Sequence, residues 1–394
     1  MGTSRIGPKA LSKPGRTWMG VLSAFCASLV GIGIARFGYT PLLPAIIAAH
    51  WFNRSAAVYL GAANLAGYLA GALVGRPISV RVTAIAALRA MMLLATLSFF
   101  ACAYPLGFSW FFVWRFCSGL AGGVLMVLAA PTVLPHLLPA RRGLASGIIF
   151  MGVGAGIAAS GTLVPLLLHE GLRQSWIGLG VISTVLTLVS WFGWPVSEAT
   201  ETTNHAIPSI SALRALYSEY AFNAAGLVPH MLFLVVFVAR GLGEGLSTGA
   251  EYWILFGLGA LAGPILNGYL ADRFGFAPVL RIAYLVEAAA VLMPALSNRT
   301  ACLAISSFVI GAFTPGIVPL VLGRIHELLA HHPVAQKAAW SRATVSFAIF
   351  QAGSAYGLSY IFARTDNYRL LFVIGAAAMT LAFFINLTFG EWRK

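Results

Sequence analysis

The stretch Gly31-Ile-Gly-Ile-Ala-Arg36-Phe-Gly-Tyr-Thr-Pro41-Leu-Leu-Pro44 places one arginine in the middle of a long apolar run. A charge at bilayer depth costs roughly 2.5–3.5 kcal/mol on insertion scales, so it persists where it faces a protein interior or a wet cavity. About 200 residues later Ala239-Arg240 repeats the Ala-Arg pair in another apolar run. Two such arginines at matching places in two halves predict a polar cavity on the axis of a duplicated membrane protein.

Composition supports a chain built for lipid. The 394 residues are 59% hydrophobic and 9% charged, with a mean hydropathy of +0.86, whereas a soluble domain carries about 25% charged residues. Apolar runs long enough to span a bilayer fall at about 18–47, 55–75, 82–104, 108–134, 143–168, 174–196, 222–247, 252–271, 278–297, 301–324, 340–362 and 368–390. The expected fold is all-α and integral to the membrane, with twelve transmembrane helices in two pseudo-symmetric six-helix bundles.

The net charge of +14 does not indicate nucleic acid, because the basic residues are scattered at the ends of the runs. Their distribution sets orientation. With both termini cytoplasmic, sixteen Lys and Arg fall inside, among them Arg76, Arg141, Arg142, Arg273, Arg324 and Lys337. Five fall outside: Arg54, Arg173, Arg299, Arg364 and Arg369. The basic start followed by an apolar run reads as an uncleaved first helix, since that run is too long for a signal peptide. Cys26, Cys102, Cys117 and Cys302 lie inside spans without Cys-x-x-Cys spacing, which fits packing rather than metal or redox chemistry. The tryptophans near span ends, such as Trp18, Trp51, Trp110, Trp194 and Trp392, fit aromatic belts.

The longest polar interruption begins at Glu198 and runs through Pro208. It divides the chain into a first bundle (1–197), a cytoplasmic linker (198–221) and a second bundle (222–394). Leu213, Leu216, Tyr217 and Tyr220 recur with helical spacing between Arg214, Ser218 and Glu219, which predicts a short interfacial helix within the linker. Internal similarity supports duplication. Gly71-x-Leu73-x-x-Arg76 pairs with Gly268-x-Leu270-x-x-Arg273, and Gly119 pairs with Gly311.

Gly268-Tyr-Leu-Ala-Asp272-Arg273-Phe-Gly275 resembles a loop motif of the major facilitator superfamily. The first-half counterpart, Gly71 to Arg76, lacks the aspartate. Arg115-Phe-Cys-Ser-Gly119 and the glycine-rich run from Gly143 to Gly161 resemble that superfamily's fourth and fifth helices. More narrowly, Ala35 to Pro44, Tyr59 to Tyr68 and Arg142 to Gly147 resemble the YbfB/YjiJ group. The resemblance implies twelve helices, cytoplasmic termini and alternating access by rocking of two bundles, and it supplies no substrate.

Candidate residues follow. Arg36 reads as an anion anchor, because a guanidinium offers a fixed fork to a carboxylate or phosphate, or else as a buried structural pair. Gly31, Gly33 and Gly38 are expected to leave room around it, Tyr39 to donate a further hydrogen bond, and Pro41 and Pro44 to kink the outer end. Arg240 and Glu244 share a helix face and read as an ion pair or as a proton-coupling switch. Arg115 reads as a substrate contact or a structural link. Glu287 reads as a proton carrier, a partner of Arg281 or a buried structural contact. Asn64, Gln351 and Tyr356 are polar candidates for the cavity wall, or else packing contacts between helices. Asp272 and Arg273, with Gly268 and Gly275, are expected to brace one conformational state through a helix end and an arginine partner.

No clustered nucleophile–base or metal constellation reads as an enzyme site, His331-His332 is a poor metal site, and no phosphate-binding Gly-x-x-x-x-Gly-Lys loop occurs. No cofactor is expected. The expected role is a secondary transporter of a small organic solute across a bacterial inner membrane, working as a monomer. Its expected cargo is an organic anion, with protons as a candidate coupling ion. The alternative is multidrug or sugar-type efflux through an apolar cavity.

Overall fold

The computed structural model describes residues 14–195, 211–330 and 332–389. These form twelve long helices: α1 (Thr17–Ala48), α2 (Arg54–Arg81), α3 (Ala84–Cys102), α4 (Phe108–Val133), α5 (Arg142–His169), α6 (Leu172–Ser190), α7 (Ser211–Gly241), α8 (Gly245–Phe274), α9 (Phe276–Leu296), α10 (Thr300–Leu328), α11 (Pro333–Thr365) and α12 (Tyr368–Phe389). Ten are long and apolar enough to cross a membrane. The two that fall short, α2 and α11, pack against each other across the two sets of six.

The turns follow local chemistry. Asn53 and Thr83 cap α2 and α3 by accepting the backbone N–H of Ala56 (2.8 Å) and Ala86 (3.2 Å), which satisfies donors that a helix start leaves open. The sharp reversal from α8 into α9 passes through Gly275 at φ +86°, a conformation that glycine adopts without a side-chain penalty.

Small residues set the internal packing, as they do where helices associate without a hydrophobic drive. Gly119 on α4 meets the Asn64 carbonyl of α2, and Gly311 on α10 meets the Phe256 carbonyl of α8. The two glycines paired by sequence therefore hold equivalent places in the two halves.

Both leading helices carry wide turns. α1 is π-helical over Leu29–Ile34, and α7 over Pro229–Phe233 and again over Phe237–Gly241. Such bulges often accompany functional sites and kinks. In α1 the helical run ends at Phe37 and restarts at Tyr39. That break, at Gly38, lies three residues before Pro41 and directly follows Phe37, the i−4 residue whose carbonyl a proline ring crowds. The interruption thus falls at Gly38, just inside the prolines, where the backbone stays helical and Gly38 N–H still donates to the Ile34 carbonyl at 2.9 Å.

Two expectations are corrected. Residues 198–210 of the linker lie outside the described residues, and from Ser211 onward the chain is already the continuous helix α7 rather than a separate interfacial one. Leu213, Leu216 and Tyr220 are buried in the bundle, and Glu219 is 1% exposed, so the amphipathic stripe marks a packed face. Trp194 is buried as well and belongs to the core, not to a belt.

Candidate functional site

Arg36 reaches across the molecule. Its Nη2 donates to Gln351 Oε1 at 2.8 Å, joining α1 of the first six helices to α11 of the last six. The guanidinium lies over the rings of Phe37 (5.3 Å) and Tyr68 (5.8 Å), and Phe37 in turn touches Trp253 of α8. Gln351 Nε2 points to the Met231 sulfur, 3.5 Å away, within the π-helical part of α7. Among the described residues no carboxylate pairs with Arg36. The ion pair Arg324–Glu327, at 3.0 Å, lies elsewhere. A half-buried cation held by a neutral amide and aromatic faces keeps its capacity for an anion.

The glycines around Arg36 serve helix approach, not open space. A β-carbon on Gly33 would fall 2.8 Å from Gly156 Cα of α5, and one on Gly31 would strike Leu125 of α4. The expectation that they leave room is therefore corrected: they let α4 and α5 close onto α1.

Three further candidates form a separate buried network within the first six helices. Arg115 is 2% exposed; its Nη1 donates to the Ala35 carbonyl at 2.8 Å, and its guanidinium lies 4.3 Å from the Tyr39 ring centre. Tyr39 donates to the Ala57 carbonyl at 2.7 Å, away from Arg36 rather than beside it. Asn64 donates to the Arg115 carbonyl at 3.2 Å. This network supplies a partner for Ala35 where α1 leaves its π-helical turn.

Arg240 and Tyr356 are not brought to Arg36. Arg240 is exposed on the last wide turn of α7, and Glu244 is exposed just beyond it. They form no ion pair, because the wide turn ends the regular i, i+4 geometry and the chain then bends through Gly243 at φ +75°. Tyr356 is 61% exposed.

Glu287 is fully buried and accepts a hydrogen bond from Asn223 Nδ2 at 2.9 Å. Its expected partner Arg281 donates instead to Asn386, through Nε to Oδ1 at 3.0 Å and Nη2 to the carbonyl at 3.2 Å. Asn386 Nδ2 donates to Glu219 at 2.8 Å. Sequence reading missed Glu219 because its stretch was assigned to an interfacial helix. It also missed Tyr68, which looks like any aromatic of a span until α1 and α2 are placed together.

Among the described residues, four hydrogen bonds are seen to join the two sets of helices, at one side or at mid-depth. Asp272 accepts the backbone N–H groups of Gly143 (2.9 Å) and Leu144 (2.8 Å) at the start of α5. Trp340 Nε1 donates to the Met126 carbonyl at 3.0 Å, and the fourth is Arg36–Gln351. Asp272 thus caps a helix of the opposite half and meets its dipole with a negative charge. The expected arginine partner is absent: Arg273 is exposed and lies beside the Phe274 ring. Gly268 packs against Gly143, which brings Asp272 within reach. Toward the opposite ends of α2 and α11 no such bond is found among the described residues, and β-carbons at Gly353 and Gly357 would meet open space.

Comparison with known proteins agrees with this architecture. Residues 28–387 match the family profile described as "Uncharacterised MFS-type transporter YbfB". A gallate transporter of Pseudomonas putida is 25% identical, over 77% of this chain and 79% of that protein. Among solved structures, the proton:xylose symporter XylE superposes with a TM-score of 0.79 at 15% identity, covering 96% of each chain. The human organic anion transporter MFSD10 gives 0.73 at 14% identity, over 95% of this chain and all of that one. The E. coli fucose:proton symporter FucP gives 0.71 at 14% identity, over 94% and 98%. At these identities the solved structures establish the fold alone.

Proposed function

This chain belongs to the YbfB-type family of the major facilitator superfamily and is a membrane transporter rather than an enzyme, and from that premise we propose that it carries a small organic anion, anchored by Arg36, in exchange for its contact with Gln351. The observation that carries this reading is the Arg36–Gln351 bond at 2.8 Å without a neutralising acid. An arriving carboxylate replaces a neutral acceptor with a charged one, and charge-assisted hydrogen bonds are roughly twice as strong. Phe37 and Tyr68 beside the guanidinium, with Trp253 against Phe37, suit an aromatic or otherwise flat body. The relative named a gallate transporter supports that class, since gallate is an aromatic carboxylate.

Because Arg36 touches α11 directly, anion binding acts on the joint between the two halves. Release of Gln351 loosens one inter-half bond at mid-depth, and the ligand can remake it through its other end. Differential contacts of this kind shift a two-state equilibrium.

Two finer parts of the reading concern orientation and coupling. The basic side of the chain lies in the cytoplasm of a bacterial inner membrane, so the arrangement closed by Asp272 and Trp340 is the outward-facing one. The transporter works as a monomer, and Glu287 binds the coupling proton. Its support is complete burial with only a neutral partner, Asn223, in a family whose solved fold relatives include proton symporters. Glu244 and Arg240 sit outside this scheme.

Uptake into proteoliposomes tests the reading, with gallate, benzoate, fucose and xylose compared for wild type and Arg36→Gln. Saturable carboxylate uptake lost in Arg36→Gln supports it. Sugar uptake, or efflux of apolar compounds, with Arg36→Gln unaffected assigns the aromatic surround to the sugar or multidrug alternative and removes Arg36 from the substrate site.

A further inference from the structure

A cavity of about 290 Å³ lies at the closed side, in the seam between the two halves. Leu134, Arg142 and Ser146 line it from the first half, and Phe276, His326 and Glu327 from the second. It is separate from the Arg36 site. Gly156 is the α5 residue that meets α1 beside Arg36, and Ser146 lies ten residues earlier, about 15 Å along the helix at 1.5 Å per residue.

Its polar groups are poised for a ligand. The Ser146 hydroxyl is 2% exposed and has no hydrogen-bond partner, an arrangement that costs free energy unless something fills it. Arg142 spends only Nε, on the Leu137 carbonyl at 3.3 Å, so the terminal nitrogens of its fork remain for a guest. Arg142 and Ser146 are four residues apart and share a helix face. His326 faces the same space. The one acid in the lining is already committed: Glu327 Oε2 pairs with Arg324 at 3.0 Å and Oε1 accepts the Phe276 N–H at 3.2 Å. The remaining wall is Leu134, Phe276 and proline carbon. Glu327 and Pro139 are exposed, so the cavity reaches the surface on this side.

We propose that this cavity is a second binding site, for a small monocarboxylate with a compact apolar body, and that its occupant holds this side of the transporter shut. A fork, a hydroxyl and an imidazole recognise the carboxylate, and the apolar wall takes one ring or a short chain. The volume sits at the lower edge of the roughly 300–1,000 Å³ range of small-molecule pockets, which excludes drug-sized guests. Because both halves line it, the site exists only while they are together, so a ligand there favours that state by mass action. Solute accumulating on this side would slow further turnover without competing at Arg36.

The inference stands apart from the Arg36 reading, and the test separates them. Purified Arg36→Gln protein is melted with millimolar benzoate, 4-hydroxybenzoate, gallate or hexanoate, and with benzamide and inorganic phosphate as controls. The expected result is a rise in melting temperature with at least one carboxylate and none with benzamide. That rise is lost when Arg142→Gln is added, and Ser146→Ala weakens the affinity roughly ten- to hundredfold, the worth of one charge-assisted hydrogen bond. Ser146→Ala removes only an unpartnered oxygen, so it answers the question even where Arg142→Gln folds poorly. In proteoliposomes of wild type, the same acid on the closed side lowers the maximal rate and leaves KM unchanged. The proposal is overturned if no carboxylate stabilises Arg36→Gln, if the response survives both substitutions, or if phosphate alone is bound.

Discussion

Asp272 and Gly143 stand 129 positions apart in the sequence, and the carboxylate of the first accepts the backbone N–H of the second at 2.9 Å. One side chain of the second half thereby completes the first turn of a helix in the first half. Asp272→Asn keeps the size of that side chain and removes its charge. Charge at a helix start is worth up to about 2 kcal/mol in partly buried settings. The expected outcome is a roughly 5–30-fold shift toward the state open on this side, with ligand affinity at Arg36 retained. Spin-label distances across the seam, measured beside ligand titrations, check it. Loss of binding in a well-folded Asp272→Asn protein would place Asp272 at the substrate instead.

Trp340 supplies the second bond at the same side. Trp340→Phe keeps the aromatic packing on Phe150 and Tyr220 and removes the donor to Met126. The Met126 carbonyl sits inside α4 and keeps its place in the helix ladder, so the loss is that of one hydrogen bond, about 0.5–1.5 kcal/mol. The variant should melt normally yet populate the other conformation more, seen as faster labelling of a cysteine placed in the seam.

Arg115 tests the division between site and scaffold. Arg115→Lys offers a point charge on a different stem, and the bond to Ala35 together with the Tyr39 contact cannot both be reproduced. Thermal stability should fall by about 1.5–3 kcal/mol, while the folded fraction binds ligand as before. Normal stability with lost affinity would restore Arg115 to the substrate-binding set.

Gly33→Ala forces a methyl group against Gly156 Cα, 2.8 Å away. Overpacking of this kind costs about 1–3 kcal/mol, so the melting temperature of the detergent-solubilised protein should drop. Pairing it with a substitution distant from α5 should give additive losses.

Glu287→Gln preserves an acceptor for Asn223 and cannot exchange a proton. Tyr284, which interacts with it and also with Glu219 and Tyr220, remains in place. If Glu287 carries the coupling proton, wild-type uptake falls as the external pH rises, and Glu287→Gln uptake becomes flat with pH. A variant that still accumulates solute along a proton gradient would remove Glu287 from coupling.

The helices were legible because span length and apolar content are local properties. The paired glycines and the Asp272 loop were legible because small residues and charges at helix ends have few uses in lipid. The partners were not. Ala35-Arg36 and Ala239-Arg240 read alike, yet one arginine meets Gln351 between the halves and the other is exposed beyond a wide turn. Only the three-dimensional path of α1 and α7 distinguishes them. Tyr39 reads as a donor beside Arg36 and Arg115 as a substrate contact or a structural link, and only the folded chain shows their hydrogen bonds running to carbonyls of their own half. Glu219 was read from the polar side of a stripe whose true environment is the α7–α12 contact.

The π-helical turn at Leu29–Ile34 amounts to one residue inserted into a regular helix. Each residue of an α-helix turns the chain by about 100°, so that single insertion sets the compass bearing of everything after it. Without it, the part of α1 beyond Ile34 would rotate by roughly a quarter turn, and Arg36 would swing from Gln351 toward another neighbour. Deleting one residue between Leu29 and Ile34 should therefore leave a continuous membrane helix whose arginine is misaimed. The gap between a functioning and a silent protein here is an angular phase, written into the chain by the count of residues before Arg36 and not by their identity.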